Sequence, residues 1–145
     1  MIALIQRVNW AQIYIDNTLH ADIGQGILAL IGIEKEDDDK LAQKLLDKIL
    51  AYRIFADSDG KMNLDLKEIG GDLMLVSQFT LAAGTEKGLR PGFSTAKPPV
   101  EAEAIYDKLE QAAREQHEFV RSGKFGADMQ VSLENDGPVT FILKG

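Results

Sequence analysis

The hydrophobic period of this chain changes abruptly after residue 33, and that change limits what it can fold into. From Ile27 to Ile33 the run "ILALIGI" is continuously apolar, the pattern of a strand buried on both faces. Directly after it comes "EDDDKLAQKLLDKILAYRIF". Here Leu41, Leu45 and Ile49 share one stripe with Leu46 and Leu50 beside it, the 3.6-residue period of an amphipathic helix. The spacing predicts a helix from about Asp38 to Tyr52. The acidic run Asp37 to Asp39 lies where a helix N-terminus favours negative charge.

Period 2 governs most of the rest. Residues Ile2 to Val8 and Ala11 to Ile15 read as two strands, followed by the turn signal Asp16-Asn17. "DSDG" (Asp57 to Gly60) reads as a turn, and Leu73 to Leu81 as a strand. Ala82 to Pro99 is loop-like, with three glycines and three prolines, and its length marks it as functional or mobile. A second helix is expected from Pro99-Val100-Glu101 to near Ser122-Gly123, with Ile105, Leu109, Ala112, Ala113 and Phe119 on its buried stripe. Ala127, Met129, Val131 and Leu133 then alternate with polar residues, and "NDG" reads as a hairpin turn before a last short strand. The order β-β-β-α-β-loop-α-β-β predicts an α+β fold, a mostly antiparallel, barrel-like sheet packed on two main helices.

Composition narrows the chemistry. The 145 residues are the size of one domain, 1–145, and 45% hydrophobic with 27% charged residues describes a globular chain. The absence of cysteine excludes disulfides, thiolate metal sites and cysteine nucleophiles. The four-residue apolar run before Gln6 and Arg7 is too short for a signal-peptide core, and no stretch approaches a membrane helix, so a cytoplasmic location is expected. A net charge of −7 argues against broad phosphate contacts and against DNA as a partner. It leaves room for a short single-stranded end in a local pocket.

The residues that carry chemistry are few. His20 and His117 stand apart from any nucleophile and read as surface histidines. The Asp57 turn fails the calcium-loop spacing, because its glycine falls at position 4 instead of 6. Asp37 to Asp39 reads as a helix start, so no metal is expected. The strand "DLMLVSQFTL" is more informative. With period 2, Gln78 and Thr80 share one face, about 7 Å apart, while Ser77 lies with Phe79 and the leucines. Either the strand reaches water there, or its end offers fixed polar groups to a ligand. Lys87 and Arg90, in the loop "GTEKGLRPGF", are candidate contacts for a phosphate or carboxylate. Pro138, directly after Gly137, is not explained by a hairpin turn, since proline cannot donate to a ladder and has a real chance of a cis bond.

"SQFTL" (Ser77 to Leu81) and "NDGPVT" (Asn135 to Thr140) together resemble the D-aminoacyl-tRNA deacylase family. The opening "MIALIQRV", the "RIF…D…GKMNLDL" segment, "GLRPGF" and "SGKFGADMQVSLENDGPVT" extend the resemblance over nearly the whole chain. The resemblance implies hydrolysis of the ester between a D-amino acid and the 3′-terminal adenosine of tRNA, with glycyl-tRNA as a further substrate. It implies a homodimer with active sites at the subunit interface, no metal and no organic cofactor. It also implies a cis Gly137-Pro138 bond whose turn reaches the partner's site opposite Ser77 to Thr80.

The residues suit that chemistry. A site that accepts every D side chain must hold the amino group and leave no room where an L side chain projects, which rigid main-chain groups at Gly137 and Pro138 can do. Glycine has nothing to exclude. The backbone N–H groups of Phe79 and Thr80 are candidates for an oxyanion hole. Thr80 Oγ lacks an evident base, so water assisted by the substrate 2′-hydroxyl is the favoured nucleophile. Gln78 orients substrate or backbone, and Phe125 and Met129 are the candidates for stacking on adenosine. Two other classes stay open: a non-catalytic module that binds a nucleotide or RNA 3′ end, and a dimerisation domain.

Overall fold

The structure is a computed structural model and describes residues 1–145. Strand β1 (Ile2–Ile15) unites the two strands expected at the start. Asp16 and Asn17, both at positive φ, turn the chain back as a two-residue hairpin into β2 (Thr18–Ile23), which the periodicity did not predict. β3 (Gly26–Gly32) continues it. Both lie along one edge of β1, with Ala11 opposite Ile23 and Val8 opposite Gly26, and the β1–β2 register shifts between Ile13 and Tyr14.

Helix α1 (Asp39–Ala51) matches its predicted span, and Asp38 caps it by accepting from Leu41 N at 2.9 Å. β4 (Phe55–Ala56) and β5 (Met62–Leu64) form a small ribbon around the Asp57 turn. Hydrogen bonds from the Asn63 side chain, foremost, and from the Lys61 backbone hold the Asp57 carboxyl below the usual carboxylate range. β6 (Asp72–Ser77) runs parallel to β3. Helix α2 (Pro99–Gln116) ends earlier than expected. Its cap, His117, is half-buried and lies 2.8 Å from Gly71 O through Nε2, so it is not a free surface histidine. Phe119 is exposed, not on the buried stripe. The chain beyond it becomes β7 (Val120–Ser122), parallel to β6.

β8 (Gln130–Lys144) is one 15-residue strand on the other edge of β1. The expected hairpin at "NDG" does not form. Gln6 pairs with Thr140 and Trp10 with Glu134, so β8 spends two more residues than β1 on that interval. The excess bulges outward and carries Gly137 and Pro138. The Asn135 side chain closes the bulge: it accepts from Val139 N (2.6 Å) and donates to Thr140 Oγ1 (2.9 Å). A long continuous partner strand overrides a local turn signal.

The sheet is buried on both faces. Ile5, Ala29, Leu73 and Leu75 pack beneath α1 and α2. Leu28, Met74 and Val76 face the other way and meet Val8, Ala11, Ile13, Ala21 and Ile23 inside the curl of the sheet. This explains the unbroken apolar run of β3. The result is the expected α+β architecture, two helices on a barrel-like sheet. No helix is long and apolar enough to cross a membrane.

Candidate active site

β6 stops at Ser77, and the residues after it leave the sheet. Gln78 N still reaches Ile31 O (2.8 Å), but Phe79–Ala82 then form a 3₁₀ turn whose first bond runs from Leu81 N to Gln78 O (3.2 Å). The expectation of a strand through Leu81 is therefore wrong, and Gln78 and Thr80 do not share a strand face. They meet for another reason: the turn brings Gln78 Nε2 within 2.6 Å of Thr80 Oγ1. Gly32 makes room for the turn. A Cβ there would sit 2.7 Å from Leu81 Cβ and 3.3 Å from Gln78 O.

A groove of about 820 Å³ opens beside this turn. Val76, Ser77, Gln78 and Phe79 form one wall. Phe125 to Met129 form another, and Phe93, Ser94 and Ala96 to Pro99 close the rim. Five residues singled out from the sequence thus converge: Ser77, Gln78, Phe79, Phe125 and Met129. Thr80 is exposed next to them. The Phe79 ring packs on Phe93, centroids 5.0 Å apart at 52°, leaving an exposed aromatic pair at the groove edge.

The other predicted residues lie elsewhere. Lys87 and Arg90 sit on the exposed loop 84–92, whose base is pinned by paired hydrogen bonds between Gly84 and Gly92. They do not line the groove. Gly137 and Pro138 are exposed on the β8 bulge, are joined by a cis peptide bond, and are not part of this groove either. Arg7 fixes that bulge from behind. Its side chain, 14% exposed, donates through Nε to Asp136 O (3.0 Å), lies 3.2 Å from Asp136 Oδ2, and donates through Nη1 to Ile54 O (2.7 Å).

Sequence reasoning missed Lys35, Phe93, Ser94 and Lys97 as lining residues. Phe93 and Lys97 fall in or beside the long loop whose length had flagged it. Lys35 carries no local signal. Behind the wall stands Tyr106, 1% exposed, its ring 5.8 Å from that of Phe125. Its hydroxyl faces the Ser77 backbone too loosely for a hydrogen bond and has no partner. Burial, then the Glu110 and Asp107 carboxylates, raise it well above an ordinary phenol.

The fold is an α+β domain whose groove opens at the carboxyl ends of the parallel strands β3 and β6, a common position for ligand sites in such folds. The family model for D-Tyr-tRNA(Tyr) deacylase matches residues 4–144. A D-aminoacyl-tRNA deacylase of Stutzerimonas stutzeri is 57% identical over 99% of each chain, and one of Escherichia coli O81 is 52% identical over 99% of each. Among solved structures, the c-Myc DNA Unwinding Element Binding Protein superposes with a TM-score of 0.96 at 37% identity, covering 100% of this chain and 99% of that one. A probable eukaryotic D-amino acid tRNA deacylase shares the fold, with a TM-score of 0.82 at 18% identity over 98% and 97% of the two chains. The chain belongs to the D-Tyr-tRNA(Tyr) deacylase family, a family of ester hydrolases.

Proposed function

We propose that this chain, as a single domain over residues 1–145, hydrolyses D-aminoacyl-tRNA to free D-amino acid and tRNA and spares the L form. The observation that carries the reading is the single groove shared by Ser77, Gln78, Phe79, Phe125 and Met129 in a chain matched end to end by deacylases. Water adds to the ester carbonyl carbon, the bond to the ribose 3′ oxygen breaks, and that oxygen takes a proton. The Phe79 and Thr80 amides precede the first hydrogen bond of their turn, which suits them to the developing oxyanion. Thr80 Oγ1 accepts from Gln78, and no histidine is among its hydrogen-bond partners, so water assisted by the 2′-hydroxyl is the better nucleophile. Phe125 and Met129 receive the terminal adenosine. No metal or organic cofactor is required for these steps.

Chiral selection belongs to Gly137 and Pro138. They lie outside the groove of their own chain, and the outer edge of β8 pairs with no other strand. Ile142, on that strand, is 66% exposed. An unpaired edge with apolar exposure suits a second copy. In a homodimer the bulge of one subunit would complete the site of the other. A site built to exclude an L side chain has no means to exclude glycine, so glycyl-tRNA is also cleaved. The substrate places the enzyme in the cytoplasm.

The test is release of amino acid from D-tyrosyl-tRNA and L-tyrosyl-tRNA. Release from the D form alone is expected. No release from either would leave a binding module and defeat the enzyme reading.

A further inference from the structure

The groove contains a cation that its surroundings use only in part. Lys97 lines it, and its side chain is 10% exposed. An ammonium has three donors to satisfy. One goes to Lys35 O at 2.7 Å. Glu101 Oε2 lies 3.9 Å away, too far for a hydrogen bond, on a carboxylate that is 67% exposed. The remaining donors have no protein acceptor. Lysines ordinarily carry their charge out into water, whereas this one is held inside a groove wall. Its backbone is fixed as well: Lys97 N donates to Ile33 O (3.0 Å) and Lys35 N to Thr95 O (2.9 Å).

A chain of net charge −7 repels a polyanion at long range, so an RNA end must be held by local cations. If the groove takes a terminal nucleoside, the phosphodiester that joins it to the preceding nucleotide has to lie within or at the rim of the groove. Lys97 and the exposed Lys35 are the cations that line it. We propose that Lys97 binds this terminal phosphodiester through its two spare donors. The proposal rests on the deacylase reading of the groove, and it assigns the phosphate contact to the groove wall instead of to Lys87 and Arg90 on the loop.

The test compares wild type, Lys97→Met, Lys97→Arg and Lys87→Met on two substrates, D-tyrosyl-tRNA and the phosphate-free ester 3′-O-D-tyrosyl-adenosine. On the tRNA, Lys97→Met is expected to raise KM about tenfold with kcat within about twofold. It should also lower the slope of log KM against log salt by about 0.7, the value for one single-strand phosphate. Lys97→Arg should restore most of the affinity, and Lys87→Met should leave the slope unchanged. On the phosphate-free ester, Lys97→Met should behave as wild type. An unchanged salt slope in Lys97→Met overturns the proposal, and so does an equal loss on both substrates. Failure of the wild type to cleave either substrate defeats the deacylase reading itself.

Discussion

Gln78 Nε2 donates to Thr80 Oγ1 across 2.6 Å, at the tip of a 3₁₀ turn instead of along a strand. The hydroxyl oxygen is thereby occupied by a donor, the reverse of what an activated nucleophile needs. Thr80→Ala is expected to lower kcat by no more than about tenfold, the cost of roughly 1.4 kcal/mol of positioning. Loss of a true nucleophile costs several powers of ten more. Single-turnover rates on D-tyrosyl-tRNA separate the two.

Arg7 ties the β8 bulge to the strand below and to Ile54. Arg7→Ala removes three contacts of a largely buried guanidinium and should cost about 2–3 kcal/mol, read as a lowered Tm. Arg7→Lys should recover little, because a point charge cannot bridge divergent acceptors. Deacylation should fall further than stability in both variants, because the bulge is loosened before the fold is lost. Equal activity in wild type and folded Arg7→Ala would show that the bulge plays no part in the site.

Gly137 has a φ of +136°, and a Cβ there would lie 2.6 Å from Val139 Cγ2 and 3.1 Å from Arg7 Nη2. Gly137→Ala should therefore destabilise by about 1–3 kcal/mol and displace Arg7. Gly32→Ala should act on the groove wall itself, pushing Leu81 and the 3₁₀ turn outward, with a similar cost from overpacking. Chemical denaturation gives the first quantity, and kcat on D-tyrosyl-tRNA gives the consequence for the site.

Tyr106 predicts an alkaline limit to stability. Its folded-state pKa is raised, foremost by burial, so the unfolded chain gives up the phenolic proton first. Stability from this group is fully present below pH ~10 and declines above it, by at most about 1.4 kcal/mol per pH unit. Tyr106→Phe should abolish that part of the slope. At neutral pH the same variant should be as stable as wild type or more so, since it removes an unpartnered buried hydroxyl. A Tm profile from pH 7 to 11 measures both effects.

Much of this was legible along the chain because its causes are local. Asp38 caps α1 by accepting from a backbone N–H only three residues away, and the leucine stripe of that helix needs only its own period. Asp16-Asn17 turned as the residue types require. The terminus of α2 was misread because apolar residues continue to Val120, yet Val120 is buried by pairing opposite Leu73 in β6, not by the helix. The 3₁₀ turn at Phe79 is too short to show a period, and it exists where Gly32, 47 positions earlier in number, leaves space.

The amino-acid order by itself determined the helices, the doubly buried strand, the exclusion of thiol chemistry and the residues worth watching, because propensity, period and charge act within a few positions. Tertiary structure decided the rest. β1 holds β8 in register on both sides of "NDG" and turns an apparent hairpin into a bulge. The meeting of β6, the loop before α2 and the segment before β8 makes one groove and places Lys97 inside it. These outcomes depend on backbone pairing and packing between residues far apart in the chain, energies that no local window contains.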